Sequence, residues 1–429
     1  MSWHPDRAAD WVSLTEALDI ILQTIRPNGP ETIRLDEALQ RTLAEAVHSP
    51  IDHPPWDNSA MDGYAVRSAD VRGATREHPV QLNLIEKVPA GGFPSREVEQ
   101  QTAIRIMTGA PIPNGADSVI RVEHTEGGDA DVVMVVNDAD AGRNIRPRGE
   151  DVRAGQTVVG KGAVLRPAEI GFLATVGART VAVSRRPRVA ILSTGDELVD
   201  LDNFDDVRAG RKIVNSNSYA LAAAVRATGA EPVLLGIARD ERASLREKLR
   251  AATDADMLVT SAGASVGEHD LVKEVLEELG MRTAFWRVRV RPGSPFSFGM
   301  MGEVPVFGLP GNPVSALVTC ELFVKPAIRR ALGRPALYSP TVRVRVHEPI
   351  STKGTLTHFL RAQLTRAQDG TWLAKLTGPQ GSGMISSMVQ ADGLLVVPEA
   401  IHEIERGAEA DVIKLDAADH TQSELGFTI

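Results

Sequence analysis

Cysteine is almost absent from this 429-residue chain; Cys320 stands alone, so no disulfide can close within it. That residue lies in the apolar helical run VSALVTCELFV, where a buried, inert thiol is the expected state rather than a nucleophile. The 10 histidines show no HxxxH, CxxC or CxxH spacing, which leaves no zinc or iron site built by the protein itself. No serine stands in a GxSxG turn, and no GxxxxGK[ST] loop marks an ordinary NTPase. Apolar runs of membrane-spanning length are lacking, and the first residues, MSWHPDRAAD, are polar and acidic, so neither a leader nor a membrane partner is expected and the cytoplasm is the expected compartment. Positive charge is in deficit as well. The formal charge of −9 argues against non-specific nucleic-acid or membrane binding, so an anionic ligand must be held by locally clustered positive charge.

What is present is a globular chain, 43% hydrophobic and long enough for about three domains by the usual domain size. The stretch from Val12 to Ile25 has helical spacing after Ser13, with Glu16 as a capping-box partner. The spacing predicts a second helix from Ile33 to Val47, then proline-rich turns through HSPIDHPPWDNSAMDGYAVR. Between Val66 and Val136 short β-branched runs read as an all-β module. From Arg188 strands and helices alternate: a strand Arg188 to Ser193 ending at Thr194-Gly195-Asp196-Glu197, a helix Asn217 to Thr228 capped by Asn217 or Ser218, strands at Pro232 to Gly236 and Met257 to Thr260, a helix Asp270 to Leu279, a strand Val304 to Leu309, and a long helix opened by Pro313. That order predicts a doubly wound, mostly parallel sheet whose ligands bind at the carboxyl ends of its strands. From Ala336 onward strands return, as a small C-terminal β domain.

Two strand-to-helix junctions in the sheet are glycine-rich, LVTSAGASVGEHDLVK (258 to 273) and FGLPGNPVS (307 to 315). Backbone N–H groups and a helix N-terminus converge at such a junction, which suits phosphate or another anion. Asp270, just past the first loop, either shares a divalent cation with that anion or caps the helix. Asp62, Asp151, Glu197, Asp240 and Asp270 all sit in or next to turns, where an ordinary turn or cap role also fits. Glu197 and Asp270 stand apart because the topology brings both to one sheet edge, as a pair able to hold Mg²⁺ together with ligand phosphates. In WRVRVRPG, Arg287, Arg289 and Arg291 alternate with valines, so an extended segment projects all three from one face. They form either a solvated strand face or, between the two glycine-rich loops, a partner for an oxyanion.

Six motifs then occur in one order: DNSAMDGYAVR (57 to 67), RIMTGAPIPNGADSVIRVE (105 to 123), NIRPRGEDVRAG (144 to 155), ILSTGDELV (191 to 199), SAGASVGEHDLVK (261 to 273) and GLPGNPVSA (308 to 316). With these the chain resembles the MoeA family of molybdopterin molybdenumtransferases, whose domains also form the C-terminal part of gephyrin. The resemblance implies a multidomain α/β protein in four parts: a mixed α/β linker domain (29–50 and 152–185), an inserted β-rich domain (51–151), a doubly wound α/β domain (1–28 and 186–335) and a C-terminal β domain (336–429). It implies insertion of molybdate into adenylylated molybdopterin, whose dithiolene sulfurs take the metal as AMP leaves, in a Mg²⁺-dependent homodimer with a shared cleft. Carried over motif by motif, Asp62, Thr108, Asp151, Glu197 and Asp270 match family active-site positions, and Asp240 is a further match outside a strong motif. Ser261, Gly263, Ser265, Gly267 and Lys273 of the first loop region, with Pro310, Gly311, Asn312 and Pro313 of the second, are expected to seat the pterin phosphate and nucleotide. Arg287 and Arg291 add positive charge, and Glu197 and Asp270 hold Mg²⁺. The family commonly has lysines at the places of Arg287, Arg291 and Ser294, so charge is kept at two and lost at one. Partners implied are a molybdopterin adenylyltransferase and molybdoenzymes receiving the cofactor. Two other functions remain open: nucleotidyl transfer, because the same sheet domain serves adenylyltransferases, and a non-enzymatic cofactor-carrying scaffold.

Overall fold

The structure, a computed structural model, describes residues 11–128, 131–261 and 271–415. The chain divides into two compact units. The first gathers the chain up to Glu31, a short return at Gln40–Ala44 and everything from Val183 onward; the second holds Thr32–Leu39 and Glu45–Ala182.

In the first unit a six-stranded sheet runs in the order Glu231–Ala238, Arg188–Thr194, Met257–Ser261, Val304–Leu309, Ser297–Met301, Met281–Phe285. The first four strands are parallel and the last two antiparallel. Along Arg188–Thr194 successive side chains go to opposite faces: Val189 and Ile191 enter one apolar core, Ala190 and Leu192 the other. Both faces are therefore covered, as a parallel sheet requires. Residues of Leu14–Thr24, Ser216–Thr228 and the helix from Pro313 supply the first core, and those of Arg242–Arg250 and Leu271–Glu278 the second. The Ser13–Glu16 capping box forms as read from the sequence.

The helix opened by Pro313 is α over Pro313–Thr319, widens to a π turn over Cys320–Val324 and resumes over Lys325–Ala331. Pro326 has no N–H to give the preceding turn and its ring crowds the carbonyl four residues back, which accounts for the widening. Cys320 is buried there, and burial pushes its thiol up to about 12, so it is inert as expected.

The unit's second sheet closes on itself. Thr357–Arg366 pairs on one side with Trp372–Leu376 and on the other with Gly393–Val397, and Thr341–Val346 and Glu409–Lys414 complete the ring around an apolar core. Closure removes exposed strand edges among these five strands. The two-residue strand Val290–Arg291 adds to it in parallel, Arg291 lying beside His358.

The second unit is built on a six-stranded sheet in the order Ser118–Arg121, Gly63–Val66, Thr102–Ile106, Val80–Lys87, Val132–Val135, Thr125–Gly127, with an apolar core on each face. Gly63 is required where it stands, since a Cβ there would lie 2.1 Å from the Ile120 carbonyl oxygen.

Two local expectations fail. Ile33 to Val47 is not a helix but the strand Pro30–Arg34, a 3-10 turn Leu35–Glu37 and extended chain. Leu35 gives its N–H to Arg179, and Gln40 takes a left-handed backbone (φ 62°), so pairing with distant chain overrides a moderate helical pattern. The helix at Ser216–Thr228 is capped by Asn215, which accepts from the Ser218 N–H, and not by Asn217 or Ser218. Asn217 is thereby left for other partners.

The buried rings of Phe296 and Phe323 stack at 4.3 Å between centroids. Phe296→Ala should therefore cost the first unit about 3–5 kcal/mol. Calorimetry tests this, and a loss below about 1 kcal/mol would show that the surrounding core closes over the missing ring.

Candidate functional site

At the carboxyl end of the parallel sheet, the strand Arg188–Thr194 turns through Gly195 (φ 142°) into Asp196 and Glu197. A Cβ at Gly195 would sit 2.5 Å from Glu197 Oε1, so glycine is what lets this carboxylate fold back over the turn. Glu197 is exposed, and its carboxylate has no ion-pair or hydrogen-bond partner among the described residues. Asp196 and Asp240 exchange backbone-to-carboxylate contacts, each accepting from the other's N–H at 3.4 Å. No group of three or more His, Cys, Asp or Glu able to hold a metal ion occurs among the described residues. Asp270, Gly263, Ser265 and Gly267 lie outside them.

Asn217 ties the sheet edge together. Its Nδ2 donates to Ser261 Oγ and to the Gly311 carbonyl, both at 2.7 Å, joining the first turn of a helix, the end of a central strand and the PGNP loop. On its other side the PGNP loop reaches the C-terminal β domain: Asn312 Nδ2 donates to Ser382 Oγ at 2.9 Å, and the Val314 N–H to the Ser382 carbonyl at 3.1 Å. Lys273 lies over the Trp286 ring at 4.7 Å.

Below that junction is a cavity of about 990 Å³. Pro310 and Asn312 line it, with Ser294, Ser382 and four basic residues, Arg291, Lys353, His358 and Arg361. No Asp or Glu is among its described lining residues. Arg361 is 0% exposed. Its Nε donates to Ser387 Oγ and its Nη2 to the Gly381 carbonyl, both at 3.1 Å, while Nη1 is buried with no partner. Gln380 brackets the Arg361 backbone, accepting from its N–H at 2.8 Å and donating to its carbonyl at 3.2 Å. Burial alone depresses the guanidinium pKa. A buried cation with an unmet donor and no carboxylate beside it is a strong attractor for an oxyanion, which supplies the missing charge and acceptors together.

The arginine segment does not act as one face. Val288 and Val290 are buried as the alternation requires, but the three side chains go separate ways. Arg287 lies over the Trp11 ring at 5.1 Å and is not among the cavity lining. Arg289 donates to the Trp11 carbonyl at 2.5 Å and pairs with Glu399 at 3.3 Å. Only Arg291 lines the cavity, and Ser294, at the third of the family's lysine places, gives its hydroxyl to the Val290 carbonyl at 2.6 Å.

The second unit assembles its own group. Thr108 donates both its N–H (2.7 Å) and its hydroxyl (2.8 Å) to Asp62 Oδ1, and these bonds hold the Asp62 carboxyl below its usual range. The bonds between Ser59 and the Gly109–Ala110 backbone bring the AMDGYA and RIMTGAP turns side by side. Asp151 lines a separate hollow of about 610 Å³ with Trp56, Asn58 and Gly109, so the three motifs of this unit meet at one end of its sheet.

Sequence reasoning missed Asn217 as a bridge, and Arg361, His358, Lys353 and Ser382 altogether. The one signal for Arg361 is a charged residue inside the apolar strand HFLRAQL.

Three family models match the chain in succession: the MoeA N-terminal region (domain I and II) over 12–177, a probable molybdopterin binding domain over 190–330 and the MoeA C-terminal region (domain IV) over 343–415. Molybdopterin molybdenumtransferase 2 of Mycobacterium tuberculosis is 38% identical over 406 residues, 93% of this chain and 98% of the relative. The chain belongs to the MoeA family. The MoeA resemblance carried by the six motifs is thus borne out. A molybdopterin molybdenumtransferase from Nostoc is 38% identical over 391 residues, 90% of this chain and 88% of the relative. Among solved structures, the molybdopterin biosynthesis moeA protein from Pyrococcus horikoshii OT3 superposes with a TM-score of 0.82 at 30% identity, over 95% of this chain and 100% of that one, which establishes the MoeA multidomain fold.

If Arg361 is an uncompensated cation, Arg361→Met should leave the anion-free protein as stable as the wild type, or more stable by up to about 4 kcal/mol. It should also remove any rise in melting temperature caused by added molybdate. A variant that melts well below the wild type without anion would mean that the protein already compensates the guanidinium.

Proposed function

We propose that this chain is a molybdopterin molybdenumtransferase that inserts molybdate into adenylylated molybdopterin and releases AMP. The observation that carries the reading is the basic cavity around Arg361, with no carboxylate among its described lining residues and joined through the PGNP loop to the sheet edge. It is supported by relatives of that name matched over nearly the whole chain.

The oxyanion is held by Arg291 and the Arg361 Nη1 donor, with Lys353 adding charge and Ser382 adding a hydroxyl. The pterin phosphate and nucleotide lie along the sheet edge, where Ser261, Gly311, Asn312 and the first turn from Pro313 offer backbone and hydroxyl groups. Molybdenum bonds to the two dithiolene sulfurs while one oxide oxygen of molybdate leaves as water with the two thiol protons, and a water molecule attacks the pterin-side phosphorus of the anhydride, so that AMP leaves and molybdopterin keeps its phosphate. A chain with one buried, inert thiol fits this division, because the soft ligands come from the substrate.

Glu197 is an exposed carboxylate at that edge, and Mg²⁺ is usually held by one or two carboxylates plus phosphates and water. Glu197 and Asp270 would hold such an ion and Asp240 would stand beside them, the Mg²⁺ lowering the charge on the anhydride. The enzyme works as a cytoplasmic homodimer, with Asp62, Thr108 and Asp151 serving the metal-insertion end of the shared cleft. In support, exposed Trp56, Met61, Phe93 and Met107 belong to the segments that carry or adjoin the Asp62 and Thr108 turns, an apolar composition suited to contact with another surface.

Purified protein given adenylylated molybdopterin, Mg²⁺ and molybdate should release AMP. Arg361→Met and Glu197→Ala should each slow release by roughly 10²–10³-fold, the usual cost of one preorganised electrostatic group. No release by the wild type, or release at the wild-type rate by both variants, would overturn the reading.

A further inference from the structure

His358 is the one titratable group in the cavity lining whose charge can change near neutral pH. It sits on Thr357–Arg366 directly beside Arg291 of the neighbouring parallel strand. The residue is 7% exposed, and its Nε2 is fully buried with no hydrogen-bond partner. A buried imidazole nitrogen left unmet carries a desolvation cost, and a small turn of the ring toward the cavity it lines would let a ligand remove it.

The charged groups around the ring, among the described residues, share one sign. Arg291 faces it from the adjacent strand, His402 from the loop before Glu403–Ile404, and Lys353 from the segment before its own strand; Arg361 follows on the same strand. The acid nearest in this chain segment, Glu399, is engaged by Arg289 at 3.3 Å. Burial first, and then Arg291, hold the imidazole below its ordinary value, against the opposing effect of a hydrogen bond that the ring donates to the Lys353 backbone carbonyl. The ring is therefore predominantly neutral near pH 7 while the cavity holds no anion.

We infer that His358 is a proton-linked ligand of this cavity, taking up one proton as a tetrahedral oxyanion enters and donating its Nε2–H to that anion. The inference rests on the oxyanion reading above. An oxyanion beside Arg291 reverses the local field, so the protonated imidazole gains a partner in place of a repelling cation. Its pKa is then higher with anion bound than without. By linkage, anion affinity is greatest below the free value, falls by up to about tenfold per pH unit between the free and bound values, and levels off above the bound value. The residue sets when the cavity accepts an oxyanion as well as how tightly, a property that the arginines, charged throughout, cannot confer.

Calorimetric titration of the full-length protein with sodium molybdate, in buffers of different ionisation enthalpy, counts protons taken up per anion bound. Between about pH 6 and 9 the wild type should show an uptake that peaks near one proton. His358→Gln should still bind molybdate, more weakly and with uptake near zero, while His402→Gln should keep the wild-type uptake. Unchanged uptake in His358→Gln overturns the inference. So does a wild type that binds molybdate with no uptake anywhere in the range, a result that needs no variant to fold. A wild type that gives no binding heat at all overturns instead the oxyanion reading on which the inference rests.

Discussion

A guanidinium buried without a counter-ion is the constraint around which the first unit's cavity is built. Taking such a group out of water costs several kcal/mol even after the surroundings relax, and neutral hydrogen bonds repay only part. Arg361 has two of them, to Ser387 and Gly381, while its third donor group, Nη1, is buried with no partner among the described residues. The side chain of Gln380 holds the Arg361 backbone at both its N–H and its carbonyl. No acid is among the described lining residues of the cavity, and Glu399 is engaged by Arg289. The protein thus carries a stored cost that an oxyanion releases on entering.

The PGNP loop makes that cavity part of a larger site. One of its faces is bonded through Asn312 to the C-terminal β domain, the other through Gly311 to Asn217 and the sheet edge. The cavity and the sheet edge are thus joined through one loop within one unit. The second unit brings a different chemistry, an ionised Asp62 held by two Thr108 donors in an exposed turn.

The doubly wound sheet was legible in the sequence because its strands are short apolar runs bounded by glycine, and Val304–Leu309 falls where the pattern puts it. The carboxyl-end loops followed from topology alone. What was not legible depended on partners distant in the chain. Ile33 to Val47 has a fair helical pattern, but Leu35 is claimed by Arg179 and the left-handed Gln40 ends any turn. Asn217 reads as a cap in the sequence, but the fold gives that role to Asn215 and leaves Asn217 to bridge Ser261 and Gly311. The alternating arginines looked like one charged face, yet Trp11 and Glu399 claim two of them. Arg361 and His358 lie in an ordinary-looking strand of a β domain that seemed remote from the chemistry, and only the parallel pairing with Val290–Arg291 brings them to it.

The central claim is that molybdate is held by the cluster of Arg291, His358 and Arg361 rather than by the carboxylates of the sheet edge. Anomalous diffraction at the molybdenum absorption edge, from crystals soaked in molybdate, tests it most directly. The account predicts a peak inside the cavity, with molybdate oxygens within hydrogen-bonding reach of Arg361 Nη1 and the Arg291 guanidinium. A peak at Glu197 and Asp240, with the cavity empty of anomalous signal, would contradict it.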